Sequence, residues 1–181
     1  MNTKQIIASI VGALILFIWQ FLSWSMLPIH QDEYGYTPNQ DKILEVLNQS
    51  NLEDGTYMLP NVPPGTSQEE AHKQGEQGIG KPWASVSYYK SFEMNMGMNM
   101  TRGLLIDILS IFLLIWILGK MGSLNMQTTI MTCISISLIG YLTIPYLHSI
   151  WFGEKTLGYL IDAIVPWALV GIWLGWYLNR K

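Results

Sequence analysis

Apolar residues fall into four long runs along this chain: Ile6–Leu27, Gly103–Gly119, Thr128–Leu147 and Leu157–Leu178. None alternates apolar with polar as a membrane strand would, so each predicts a helix. A bilayer core about 30 Å thick needs roughly 20 helical residues. Three runs reach that length. The second falls a little short and extends to Arg102 and Lys120, whose long stems can lie along apolar surface. Between the first and second runs the pattern changes. Thr37-Pro38 signals a helix start, and Ile43, Leu44, Val46 and Leu47 give that helix an apolar face to about Gln49. Asp54-Gly55 predicts a turn, Thr56–Leu59 a short strand stopped by Pro60, and Trp83–Phe92 a second strand. Residues 61–82, rich in Pro, Gly, Gln and Glu, read as a loop.

The expected fold is therefore an all-α membrane protein: a four-transmembrane-helix bundle with a small extracytoplasmic α+β insertion. Residues 1–30 carry the first transmembrane helix, 31–101 the cap, and 102–181 the remaining three helices. Half of the 181 residues are hydrophobic and 13% are charged, well under the roughly 25% of a soluble domain. The first run is too long for a signal peptide and ends Ser-Trp-Ser-Met-Leu-Pro28, without a small-x-small cleavage site, so it reads as a retained anchor.

Charge sets the expected orientation. The ends that share a side carry Lys4, Lys120, Arg180 and Lys181 and no acidic residue, whereas 31–101 carries ten Asp or Glu against four Lys. The positive-inside rule places both termini in the cytoplasm and 31–101 outside. Cys133 stands alone and reads as a small hydrophobe within the third helix. The lipid bilayer and other membrane proteins are the expected partners, and nothing suggests nucleic acid.

Polar intruders in the apolar runs supply the candidate chemistry. His30 and His148 close outward-going helices, and Asp107 and Asp162 lie near the start of the returning ones, roughly 7–10 Å below the outer surface. Titratable groups at membrane depth are functional-site candidates. The first helix ends Phe-Leu-Ser-Trp-Ser-Met-Leu-Pro-Ile-His30 and the third Tyr-Leu-Thr-Ile-Pro-Tyr-Leu-His148. The second begins Leu-Leu-Ile-Asp107 and the fourth Tyr-Leu-Ile-Asp162. These weak matches suggest two parallel-repeat hairpins and pair His30 with His148 and Asp107 with Asp162. If the four converge, they suit a divalent metal such as zinc, iron or manganese, a proton relay or a polar head group. Otherwise they are interfacial and bundle-packing groups. Met94, Met96, Met98 and Met100 alternate, so in an extended chain their thioethers share one side and form a copper candidate, with adaptable packing as the alternative. Pro166 should kink the fourth helix, and Gly171-Ile-Trp-Leu-Gly175 permits close helix contact, within the bundle or with a partner. No catalytic signature is present.

The segments Phe17-Ile-Trp19, Ser23-Trp24, Leu27-Pro28-Ile-His30 and Gly55-Thr-Tyr-Met-Leu-Pro60 resemble a family of small uncharacterised bacterial membrane proteins. Its members share a first helix ending in Ser-Trp and Leu-Pro-x-His, then a Gly-x-Tyr-x-x-Pro segment. The resemblance covers about the first sixty residues; it implies a bacterial origin and no particular activity. The expected function is an inner-membrane accessory or interaction subunit of a larger envelope complex without catalysis of its own. The alternative is an outward-facing metal- or small-ligand-binding protein, or an enzyme, built on the His/Asp site.

Overall fold

A computed structural model describes residues 3–122 and 124–180, so the positive charge of Lys181 lies outside the described residues. The chain divides into two compact units, Met1–Gly35 with Asn95–Lys181, and Tyr36–Met94.

Among the described residues the first unit contains four helices long and apolar enough to cross a membrane: Thr3–Ser25, Met96–Leu118, Met126–Phe152 and Leu157–Asn179. In chain order α1 is Thr3–Ser25, α2 Gln40–Gln49, α3 Gln68–Gly78 and α4 Met96–Leu118. The third span is built from α5 (Met126–Tyr141), a π-helical turn (Leu142–Tyr146) and α6 (Leu147–Phe152); α7 is Leu157–Asn179. Large apolar side chains such as Ile10, Ile18, Leu105, Leu109, Leu113, Trp151 and Ile172 are exposed along all four spans. In water this surface would be a severe liability, and a multi-pass membrane protein is the class it suits.

Helix α1 packs on α4, α5 packs on α7, and the two hairpins join along α1 and α7, while α4 and α5 meet only marginally. Ala8, Ala13 and Leu16 of α1 meet Ile111, Leu114, Ile115 and Leu118 of α4, with Cys133 of α5 and Val170 and Leu174 of α7. Small residues set the close contacts. A Cβ on Gly12 would lie 2.8 Å from Ile111 Cγ2, one on Gly171 2.7 Å from the Ile130 Cα, and one on Gly175 2.7 Å from Met126 Sδ. The GxxxG pattern thus serves α7 against α5, within the chain. The apolar core lies toward the end where Lys4 donates to the Leu178 carbonyl (3.2 Å) and to the Arg180 carbonyl. There the Lys4 cation meets the negative end of the α7 dipole. Arg180 lies over Trp176 at 4.4 Å and Lys120 over Trp116 at 5.6 Å, so this end also carries aromatic residues beside its cations.

Two spans extend beyond their expected limits. Asn95 accepts from the Met98 amide (3.0 Å) and caps α4, which therefore starts inside the segment assigned to the cap. The third span runs through Pro145, where the wider π-turn absorbs the missing amide, and ends at Gly153 in the left-handed region (φ 69°). Helix α7 continues through the buried Pro166.

In the second unit β1 (Gly55–Leu59) pairs antiparallel with β2 (Ala84–Tyr88), with Tyr57 opposite Val86. The Tyr88 hydroxyl donates to Asn48 of α2 (3.2 Å). Strand β2 stops short of the expected Phe92, which is exposed. Helix α2 starts at Gln40, later than Thr37-Pro38 suggested. The loop expected over 61–82 contains α3, because Ser67 caps it: the Glu70 amide donates to Ser67 Oγ (3.3 Å), and the Ser67 hydroxyl donates to Glu70 Oε2 (3.0 Å).

Candidate functional site

Helix α1 carries Trp19, Gln20, Ser23 and Trp24 at helical spacing, which puts an aromatic and polar stripe on one face of an otherwise apolar helix. Past Ser25 the chain turns through Leu27 N–H to Leu22 O (2.8 Å) and doubles back at Pro28. This turn returns the His30 imidazole to the stripe. Its ring stacks on Trp24 (centroids 3.9 Å, planes 7° apart) and meets the Tyr159 ring edge-on at 5.4 Å. Gly158 in the first turn of α7 makes the room: a Cβ there would sit 2.6 Å from both His30 Nδ1 and Glu33 Oε1.

Asp162 is the centre of this cluster. Its Oδ1 accepts from Trp19 Nε1 (2.8 Å) and Ser23 Oγ (2.7 Å). Its Oδ2 lies 2.9 Å from His30 Nε2, while His30 Nδ1 lies 2.6 Å from Glu33 Oε1. Ser23 gives its proton to Asp162, so at 3.0 Å from His30 Nε2 it acts as acceptor. Both imidazole nitrogens thus face acceptors. All these bonds form together when the ring carries two N–H groups between two carboxylates, leaving one negative charge over the three groups. The Ser23–His30–Glu33 distances also match a nucleophile–base–orienter arrangement. However, Ser23 is wholly buried and its proton is committed to Asp162, so no nucleophile is presented to a substrate.

Asp107 lies apart from this cluster on α4. Gln20 Nε2 donates to its Oδ1 (3.0 Å), and Asp107 is only 4% exposed, yet its Oδ2 has no hydrogen-bond partner among the described residues. Both aspartates line one cleft of about 630 Å³ between α1, α4, α5, the π-turn and α7. Trp19, Trp24, Tyr141, Tyr159 and Trp167 supply aromatic walls, and Ser110 and Ser137 supply hydroxyls. Arg102 lines the adjoining groove with Asn99 and Gly103, and Gln20, Ile106 and Asp107 border that groove as well as the cleft.

The four-residue convergence does not form. His148 sits half-exposed on α6, 2.9 Å from Glu154 and stacked on Phe152, because the third span carries it past the cluster instead of turning back as Pro28 does. The pairing of His30 with His148 is therefore corrected, and Glu33 takes the place expected for a second imidazole. Among the described residues no three His, Cys, Asp or Glu side chains are grouped to hold a metal ion, so the tetrad His30, His148, Asp107 and Asp162 is not one metal centre. The methionine run is not extended. Met96 and Met100 lie one turn apart on α4, Met98 points nearly the opposite way, and Met94 precedes the helix, so the four thioethers share no side.

Trp19, Ser23, Trp24, Glu33 and Tyr159 were not singled out as site residues from sequence. The stripe at 19, 20, 23 and 24 was the available signal. Several of these residues belong to the segments that carry the family resemblance. Comparison with protein-family models, with curated proteins and with solved structures gives no match.

Proposed function

We propose that this protein binds an amphipathic ligand that enters from the lipid between its two hairpins, without catalysing a reaction. The observation that carries this reading is the cleft. It has the volume of a small-molecule site, its walls combine aromatic faces with a few polar groups, and it lies where α4 and α5 hardly touch. Polar side chains at this depth are costly when they face only hydrocarbon, so a ligand with a polar head and an apolar tail suits them. The charge pattern supports an orientation with both termini cytoplasmic and 31–101 outside, and the family resemblance implies a bacterial inner membrane. In that orientation the cleft belongs to the outer half of the bilayer. Gly140 lines the cleft, and a Cβ there would meet nothing within 4 Å. Gly140→Trp should therefore fill the cleft without disturbing the backbone. Mass spectrometry of organic extracts should show an amphiphile retained by the wild-type protein and depleted about tenfold in the variant. Identical extracts would sink the proposal.

A second reading, the accessory subunit of an envelope complex, is favoured by α2, whose apolar side chains Ile43, Leu44 and Val46 are all exposed. A partner that co-purifies from native membranes and is lost on Ile43→Ser with Val46→Ser supports it. Purification of a lone chain under the same mild conditions counts against it.

A further inference from the structure

We infer that the ligand of the cleft is an amphipathic cation, an amine or quaternary ammonium attached to a hydrocarbon chain. This rests on the cleft being a binding site at all, and it assigns that site its chemistry. Asp107 is the anchor. One of its oxygens is held by Gln20 and the other has no hydrogen-bond partner, although the residue is almost entirely buried. Such a carboxylate is expensive to keep ionised at membrane depth unless a positive charge meets it. Asp162, on the same cleft, does not need that partner, because Trp19, Ser23 and His30 satisfy both of its oxygens.

The walls point the same way. Among the described residues no lysine, arginine or histidine lines the cleft itself, whereas two carboxylates do; Arg102 lies in the adjoining groove that Asp107 also borders. Trp19, Trp24, Tyr141 and Tyr159 offer the aromatic faces that attract ammonium groups. Ile106 of α4, Ile136 of α5 and Ile144 of the π-turn flank the gap and form an apolar exit for a hydrocarbon tail. An ammonium drawn to the Asp107 carboxylate from the cleft, with its chain leaving between α4 and α5, uses every one of these features.

Two sources carry this chemistry: an aminophospholipid of the bilayer and a free alkyl amine. The test uses the full-length protein in maltoside micelles, with tryptophan fluorescence as readout, since Trp19, Trp24 and Trp167 line the cleft. The probes are dodecyltrimethylammonium, dodecanol and laurate, followed by dioctanoyl phosphatidylethanolamine and phosphatidylglycerol. Dodecyltrimethylammonium should bind at least about tenfold more tightly than dodecanol or laurate. Asp107→Asn should bring its affinity down to that of dodecanol. Saturable binding of the phosphatidylethanolamine but not the phosphatidylglycerol assigns the source to the bilayer. Response to the alkylammonium alone assigns it to a free amine. Equal affinity for the cationic, neutral and anionic probes in the wild-type protein overturns the inference while leaving the cleft as a binding site, and this comparison needs no variant. Absence of binding by every probe, with Gly140→Trp unchanged from wild type, overturns the binding reading itself.

Discussion

Asp162→Ala should lower stability by about 2–4 kcal/mol, the largest loss expected from any single polar side chain in the bundle. The carboxylate ties α7 to α1 through Trp19 and Ser23 and to the turn after α1 through His30. Removing it leaves the part-buried Trp19 indole N–H and the buried Ser23 hydroxyl without their acceptor, and leaves His30 with Ser23 Oγ at Nε2 and Glu33 as its one carboxylate. Hydrogen bonds within membranes average under 1 kcal/mol because the unfolded chain in lipid also finds partners. The expected loss is larger because several groups are orphaned together and one bond is charge-assisted. Asp162→Asn keeps an acceptor for Trp19 and Ser23 but sets an amide against His30, and should cost roughly half as much. His148→Ala is the control. Its partner Glu154 is exposed, so the change should stay within about 0.5 kcal/mol. Denaturant titration in mixed micelles reads all three. An Asp162→Ala protein as stable as the His148→Ala protein would show that the cluster does not hold the hairpins together.

Gly171→Leu is expected to cost about 3 kcal/mol or more by forcing α5 away from α7. The nearest neighbour of an added Cβ is the Ile130 Cα at 2.7 Å, a backbone atom that no side-chain rotation can move. At Gly175 the nearest atom is the flexible Met126 sulfur, with the Cα at 3.3 Å, so Gly175→Ala should cost less. At Gly12 all three nearest atoms belong to the Ile111 side chain, and the roughly 0.8–1 kcal/mol of helix propensity gained by alanine offsets part of the clash. The order of loss for alanine at the three positions should therefore be Gly171, then Gly175, then Gly12. Unfolding measurements on the alanine set, with Gly171→Leu as the extreme, check it. Equal losses at the three positions would mean that the bundle shifts freely at these contacts.

Helix ends and turns were legible only in part. Ser67 and Glu70 carried a capping signal inside a segment whose Pro, Gly and Gln content suggested a loop, and the local cap prevailed over composition. Asn95 likewise begins α4 ahead of the apolar run, because a helix starts where its first amides find acceptors. The likeness between the ends of the first and third spans suggested equivalent histidines. A turn at Pro28 folds His30 inward, whereas the chain at Pro145 stays helical through a π-turn and carries His148 outward. The same residue types entered two different backbone paths.

The sequence by itself determined the four membrane-length helices, because the transfer of apolar side chains into lipid adds up residue by residue along a run and needs no knowledge of neighbours. It also marked His30, Asp107, His148 and Asp162 as costly at that depth. Only the tertiary structure decided that Asp162 and His30 meet, with Trp19, Ser23 and Glu33 completing their hydrogen bonds, and that Asp107 keeps one oxygen without a partner beside a cleft. It also decided that Gly171 and Gly175 are spent on α5. Hydrogen bonds and close helix contacts are satisfied to within a few tenths of an ångström between residues from about forty to more than a hundred positions apart. That precision comes from how the hairpins pack and turn, which no pattern along a single helix encodes.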